Sequence, residues 1–189
     1  MSTLGKTLGT LALILTGLGL QAEDFSPLMQ VTRTTWPEKT HIGVICDYRN
    51  SHEQVQELAL AAGSGSMITV VDIRTAEKAS LGAQILNGRQ ANFLVLLPQD
   101  RLVYDGSFCA TLAISHLAMY GIPAVGTTPK ALRQGAVFSL GDGTNGELLV
   151  TDRLHGTLDV ILPSGISYSK KASLPLSGGM ATITLLDAQ

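Results

Sequence analysis

Charge is scarce in this sequence, and no segment of it is strongly basic. Of the 189 residues, 13 are Lys or Arg and 15 are Asp or Glu, which gives a formal net charge of −2. Proteins that bind nucleic acid through its phosphates carry a basic face, so no nucleic-acid partner is expected. Hydrophobic residues make up 45% of the chain, which is typical of a folded globule and excludes a disordered tail.

Sequence motifs of the common enzyme classes are also missing. The chain has no G-x-S-x-G nucleophile elbow, no P-loop lysine and no C-x-x-C pair. The histidines His41, His52, His116 and His155 have no partner at the spacing of a metal site or a catalytic triad. His116 falls in an apolar helical pattern and is expected in the core. Cys46 could act as a nucleophile only if it were reduced and paired with a base. We therefore expect no enzyme activity, no metal and no cofactor.

The first 22 residues have the pattern of a secretory signal peptide. Lys6 provides the positive charge, residues 7–20 are apolar, and Ala22 is a small residue at a suitable cleavage position. An uncleaved membrane anchor is the alternative, although the apolar run is short and rich in glycine for a spanning helix. The expected location is the periplasm or the medium, with cleavage after Ala22. Residues 23–40 then form a polar N-terminal lead-in.

Short apolar runs alternate with helical patterns from residue 41 onward. The runs predict strands at 41–46, 67–73, 91–98, 123–127, 136–140 and 181–187. The intervening patterns predict helices at 51–62, 75–88, 107–119, 129–134 and 145–162, followed by a loop over 164–173. Continuous apolar strands joined by helices are typical of a parallel sheet covered on both faces. The predicted fold is α/β, a single doubly wound, mostly parallel sheet of the flavodoxin or Rossmann type over residues 41–189, with 181–187 as an extra C-terminal strand.

Local signals set the expected ends and faces of the helices. Ser51 and Thr128 are expected N-caps, and Gly63 is an expected helix stop. In the helix at 75–88, Leu81 and Ile85 are expected to face inward.

Residues 141–146, GDGTNG, match the spacing of a dinucleotide-binding fingerprint. That fingerprint belongs in the first strand–helix unit, and an acidic residue for the ribose follows it about 20 residues later. Here the match lies in the fifth unit without that residue, and Asp142 would place negative charge against a pyrophosphate. We interpret the segment as a turn that requires small residues.

Polar residues directly follow three of the predicted strands. Ligands bind outside the carboxyl ends of strands in open parallel sheets, so these loops should share one rim. Arg49 could bind a carboxylate through two hydrogen bonds, and Asp100 could bind an amine. The same residues could equally be caps and turn residues. The candidate ligand-binding residues are Asp47, Arg49, Asn50, Ser51, Asp100, Thr127 and Thr128.

The two cysteines could form a disulfide. Cys46 ends the first predicted strand, and Cys109 begins the helix at 107–119. In a flavodoxin-like order the first and third strands are neighbours, so both cysteines would lie at the same end of the sheet. The alternative is that both are buried and act as small apolar side chains.

Four segments carry a resemblance to a known family. They are HIGVICDYRNSHEQVQELALAA at 41–62, ANFLVLLPQDRLV at 91–103, GIPAVGTTPKALRQGAVFSLGDGTNGELL at 121–149, and ATITLLDAQ at 181–189. Their order resembles the periplasmic substrate-binding proteins of ABC transporters, in the branch of uncharacterised and aromatic-amino-acid-type binders. Those proteins close two lobes on a ligand, whereas this chain has room for one lobe, which resembles the second. The resemblance implies ligand binding with a role for Asp100 and residues 47–51, and a facing wall supplied by a homodimer or by another protein.

Three functions follow as hypotheses. The first is a binding module for an amino acid or small organic anion, or for a periplasmic or membrane protein. The second is a structural or regulatory periplasmic protein that kept the fold and lost the small molecule. A hydrolase-type enzyme is a remote third, because doubly wound folds host many chemistries.

Overall fold

A computed structural model of the chain describes residues 24–140, 148–151, 171–176 and 179–186. Its helices are α1 (Ser26–Thr35), α2 (Tyr48–Ala62), α3 (Ala79–Gly88), α4 (Phe108–Ala118) and α5 (Lys130–Arg133). A single 3-10 turn at Ala76–Lys78 precedes α3. The strands are β1 (His41–Cys46), β2 (Met67–Asp72), β3 (Phe93–Val95), β4 (Ala124–Gly126), β5 (Phe138–Leu140), β6 (Leu148–Thr151), β7 (Lys171–Leu176) and β8 (Gly179–Leu186).

One sheet joins all of these strands, in the order β2-β1-β3-β4-β5-β6-β8-β7. The first five are mutually parallel, and Ile42 of β1 is in register with Ile68 on one side and Phe93 on the other. The strand order β2-β1-β3-β4-β5 is that of a flavodoxin-like doubly wound sheet. The predicted α/β class and the neighbouring positions of the first and third strands are confirmed.

Two apolar clusters cover the two faces of the parallel sheet. Side chains of a strand alternate between faces, so Val44 and Cys46 of β1 join one cluster while Ile45 joins the other. The first cluster also holds the buried apolar side chains of α1 and α2, and the second holds those of α3 and α4. Both faces are therefore closed, and the edges of the sheet are the places where this domain can present a site.

Helix α1 lies within the segment interpreted as a polar lead-in. Phe25, Leu28, Met29 and Trp36 are buried in the first cluster. The Trp36 ring packs at 5.9 Å from the Phe93 ring and at 5.3 Å from the Phe138 ring, both measured between centroids. The apolar face of α1 is thus part of the core, which the sequence did not predict because polar residues separate its members.

The region after residue 140 differs from the prediction. Residues 148–151, inside the helix predicted at 145–162, form β6, which pairs antiparallel with β5 and parallel with β8. A short apolar run such as LLV fits a strand and a buried helix equally well, so the periodicity alone could not decide. Strand β7 begins where a loop was predicted, and β8 confirms the last predicted strand and shows that it pairs within its own sheet. The rest of the predicted helix and GDGTNG lie outside the described residues.

Two predicted N-caps are wrong. Helix α2 begins directly after β1 with Asp47 as its N-cap, so Ser51 lies inside the helix. The N-cap of α5 is Pro129 rather than Thr128. The helix stop at Gly63 is confirmed, and its φ of 74° is one that glycine adopts readily.

The predicted inner face of α3 is also wrong. Leu81 and Ile85 are exposed, and the buried positions include Gly82 and Ala83. A Cβ placed on Gly82 would lie 3.0 Å from Cγ2 of Ile45, so the helix approaches the sheet closely. The small residues face the sheet for this reason, and the larger ones point outward.

Candidate functional site

The three segments of the predicted rim lie together at one edge of the sheet. Residues 47–51, 98–107 and 127–129 follow β1, β3 and β4 at the carboxyl edge of the parallel sheet. The helix after β1 packs on one face of the sheet, and the helix after β3 packs on the other. The β1 and β3 loops therefore flank the topological switch point, where doubly wound proteins bind ligands.

Asp100 is the hydrogen-bonding centre of this rim. Its Oδ2 accepts from the backbone N–H of Asp47 at 2.9 Å and from Ser51 Oγ at 2.6 Å. Its Oδ1 accepts from the backbone N–H groups of Leu102 at 2.8 Å and Val103 at 2.6 Å. The residue is only 4% exposed. Oδ2 joins the segment after β1 to the loop after β3, and Oδ1 orders that loop itself. Both carboxylate oxygens are used, so the geometry supports a structural role for Asp100 rather than an amine-binding one.

Asp47 is likewise held inside the protein. Its Oδ1 pairs with Arg74 Nη1 at 2.7 Å, and its Oδ2 accepts from Asn50 Nδ2 at 2.7 Å. Arg74 also pairs with Asp72 at 2.6 Å, and the Tyr48 N–H donates to the same aspartate at 3.0 Å. Sequence reasoning missed Arg74, which follows β2 and lies close to Asp47 because β2 pairs with β1 in the sheet.

Asp105 orders the two threonines of the rim and was also missed. Its Oδ2 accepts from the backbone N–H groups of Thr127 at 3.1 Å and Thr128 at 2.7 Å. Burial raises the pKa of the Asp105 carboxyl, and the hydrogen bonds from Thr128 and Thr127 oppose that rise. Its Oδ1 is buried without a hydrogen-bond donor in the described part of the chain. In the sequence, Asp105 is one more aspartate before a glycine, so only its spatial partners reveal the role.

Three exposed aromatic side chains lie beside these bonds, Tyr104 in the loop after β3 and Tyr48 and Phe108 at the first positions of α2 and α4. Tyr48 is 41% exposed, Tyr104 is 40% exposed and Phe108 is 73% exposed. Ser107 holds the second loop, because its Oγ accepts from the N–H groups of Ala110 at 3.1 Å and Tyr104 at 3.2 Å. Exposed aromatics on a rigid backbone are typical anchors of binding surfaces. Sequence reasoning considered only the polar residues of these loops and did not include the aromatics.

The two remaining predicted rim residues, Arg49 and Asn50, are exposed on the first turn of α2. All seven predicted site residues thus lie at one edge, but Asp100 is bonded to Ser51 and to the backbone of Asp47, and the Asp47 carboxylate is bonded to Arg74 and Asn50. Arg49 lies at the same edge and faces solvent.

The cysteines are free thiols in this structure and do not form the disulfide considered above. Cys46 lies in the first apolar cluster and Cys109 in the second, so the sheet separates them. Burial raises the pKa of the Cys46 thiol to about 12, with further contributions from Asp100, Asp72 and Asp47. A thiol in that environment stays protonated and is a poor nucleophile.

The described residues contain no group of three or more His, Cys, Asp or Glu side chains placed to hold a metal ion. Among the helices in the described ranges, none is long and apolar enough to cross a membrane.

Comparison with known proteins gives a clear answer for the fold. No family model matches the sequence, and no curated protein matches it significantly. A conserved domain protein from Vibrio cholerae O1 biovar El Tor is similar in structure, with a TM-score of 0.61 at 16% identity over 75% of this chain and 58% of that one. An ABC domain from Streptococcus pneumoniae in complex with L-Trp aligns with a TM-score of 0.53 at 15% identity, over 62% of this chain and 40% of that one. A ligand-free, open substrate-binding protein with adhesive properties from Clostridium difficile aligns with a TM-score of 0.55 at 13% identity, over 85% of this chain and 59% of that one.

This chain has the fold of a substrate-binding-protein domain. The fold resemblance expected from the sequence is confirmed, and at these identities the likeness extends to the fold alone. The chain spans between 40% and 59% of the length of the three similar structures. In this fold the exposed aromatics Tyr48, Tyr104 and Phe108 lie at the carboxyl edge of the parallel sheet.

Proposed function

We propose that this chain is a periplasmic or secreted binding module of the substrate-binding-protein type, which binds through the carboxyl edge of its sheet. The observation that carries the proposal is the set of exposed aromatics Tyr48, Tyr104 and Phe108, which lie in or directly beside the hydrogen-bonded loops at the switch point. A frame that is already ordered loses little conformational entropy on binding. Asp100 and Asp105 provide that frame, and the aromatics provide the contact area.

The occupant we propose is an amino acid or small organic anion. The aromatic rings would contact its apolar part, and the exposed guanidinium of Arg49 would bind its carboxylate. L-Trp, the ligand bound to the S. pneumoniae domain, is a natural first probe because it has both parts. A single α/β domain supplies one wall, and small-molecule sites normally bury 70–90% of a ligand. A second copy of the chain or another protein would supply the facing wall.

A second candidate is a protein-binding role without a small molecule. It is favoured by the saturation of Asp47 and Asp100 within the chain, together with the 73% exposure of Phe108. A surface with few free polar groups and a projecting aromatic suits a protein interface. Binding is proposed rather than catalysis because the candidate nucleophile Cys46 is buried and its pKa is about 12.

The test is a thermal-shift and calorimetric screen of amino acids, small organic acids and amines on the wild type. A ligand that binds only the native state raises the melting temperature in a saturable way. Replacing one aromatic anchor, in Tyr48→Ala or Tyr104→Ala, should weaken a hit roughly tenfold, because such a contact contributes about 1 kcal/mol beyond area burial. Tyr120→Ala is the matched control, since Tyr120 is similarly exposed but follows α4 at the opposite edge.

Sedimentation of the wild type and Phe108→Ala tests the second candidate and the facing wall. Self-association that Phe108→Ala abolishes, and that Leu60→Ala on α2 leaves intact, would locate the interface at the rim. The proposal would be contradicted if no compound raised the melting temperature and if the protein were also a monomer that binds no periplasmic protein.

A further inference from the structure

A groove lies at the edge of the sheet opposite to the rim. It has a volume of about 290 Å³ and is lined by residues at the amino ends of β4 and β5, by the end of α4 and by the segment between α1 and β1. The residues that matter for its chemistry are Trp36, Lys39, Ile114, Ile122 and Val137. Its walls are mostly apolar, and its volume is at the small end of the range of about 300–1,000 Å³ for ligand sites.

Trp36 lines the groove, and its indole carries an unused hydrogen-bond donor. Trp36 is 1% exposed, and its Nε1–H is buried without an acceptor in the described ranges. Buried Trp N–H groups usually find a partner, because an unpaired donor away from water destabilises the protein. An acceptor atom on a ligand would satisfy it.

Lys39 adds a positive charge beside the same ring. Its Nζ lies 5.9 Å from the centroid of the Trp36 ring, a cation–π distance, and Lys39 also lines the groove. The lining therefore includes one residue with an unpaired N–H donor and one with an ammonium group, and most of the other lining residues are apolar. This combination is complementary to a carboxylate attached to an apolar body.

We propose that this groove binds a small apolar carboxylate, whose oxygens accept from Trp36 Nε1–H and pair with Lys39 while its body contacts Ile114, Ile122 and Val137. The site is independent of the proposed function, because it lies at the amino edge and shares no residue with the rim. A negative result for the groove would not contradict binding at the rim, and a negative result for the rim would not contradict binding in the groove.

The test uses the fluorescence of Trp36, which is the single tryptophan of the chain. Titration with 3-phenylpropanoate should change the emission in a saturable manner. Its neutral amide, which retains the acceptor and the ring but not the charge, should bind to the wild type roughly fivefold more weakly. 3-Phenylpropanoate should bind to the Lys39→Gln variant roughly fivefold more weakly than to the wild type. Lys130→Gln, on the exposed part of α5 at the rim edge, is the matched control and should bind as the wild type does.

Two further variants separate this site from the rim. Ala118→Leu fills the groove from an exposed helical position and should abolish the fluorescence change, and circular dichroism will show whether it is folded. Tyr48→Ala should leave the change intact. Trp36→Phe keeps the apolar ring and removes the N–H, so its affinity, measured by calorimetry, should fall. The proposal is overturned if 3-phenylpropanoate causes no saturable change, or if Ala118→Leu and Lys39→Gln bind it as the wild type does.

Discussion

Asp100 should contribute to stability far more than an exposed aspartate, and Asp100→Ala tests this. Its carboxylate accepts four hydrogen bonds, and three of the donors, the N–H groups of Asp47 and Val103 and the hydroxyl of Ser51, belong to buried residues. A buried donor left without its acceptor costs about 1–3 kcal/mol. Ser51 Oγ can rotate toward another acceptor, and the Leu102 N–H is nearer to solvent. The two buried N–H groups, which cannot rotate, therefore set an expected loss of about 3–4 kcal/mol.

Urea unfolding followed by circular dichroism measures that loss. With a slope of about 2 kcal/mol per M, the midpoint should fall by about 1.5–2 M. Asp100→Asn should lose a smaller amount, because one oxygen still accepts while the new NH₂ group faces donors. Glu53→Ala, on the exposed face of α2, is the control and should change stability by less than about 0.5 kcal/mol. An Asp100→Ala protein that is as stable as the control, yet has lost its ligand, would refute the structural role and restore Asp100 as a ligand contact.

Three further predictions follow from the same packing. The raised pKa of Asp105 means that its folded form holds a proton more tightly than its unfolded form, so its stabilising contribution is present below the usual value of 3.8 and is lost as pH rises through the folded pKa. The stability of the wild type relative to Asp105→Asn should therefore decline in urea titrations as the pH rises above the usual value of 3.8, and a relative gain would contradict this prediction. Gly126→Ala should cost about 1–3 kcal/mol in urea unfolding, because the new Cβ would overlap Cβ of Ala131, whereas Gly65→Ala meets nothing within 4 Å and should be nearly neutral. A thiol reagent should find two thiols in the denatured chain and react slowly with native Cys46, and zero thiols after denaturation would instead show a disulfide.

The parallel half of the fold could be predicted because its signals are local. The run at 41–46 is buried at every position, so it appears in the sequence as an unbroken apolar strand. The helix predicted at 107–119 is α4, which begins at Phe108 after its N-cap Ser107. The stop at Gly63 is equally local.

The wrong or missing elements depend on tertiary context. The buried face of α1 is interrupted by exposed polar residues, and only packing against β3 and β5 reveals it. Residues 148–151 fit two periodicities, and their pairing with β5 decides between them. Leu81 and Ile85 point outward because Gly82 brings the helix close to Ile45.

The location of the candidate site was predictable, but its internal chemistry was not. The carboxyl edge follows from strand order, so the polar loops could be assigned to one rim. The partners within the rim are far apart in sequence: Asp100 binds Asp47 across 53 positions, and Asp105 binds Thr127 across 22. No local sequence pattern therefore predicts these hydrogen bonds. The outward direction of Tyr48 and Phe108 depends in turn on the loops that these pairs hold.

The most direct test of the account is an amide NMR titration of ¹⁵N-labelled protein with the standard amino acids and small organic acids. Binding at the carboxyl edge predicts saturable shift changes at residues 47–51 and 100–108, lost in Tyr48→Ala and retained in Tyr120→Ala. Shift changes confined to the amino edge, or none with any ligand and none on raising the protein concentration, would contradict a binding role for the rim.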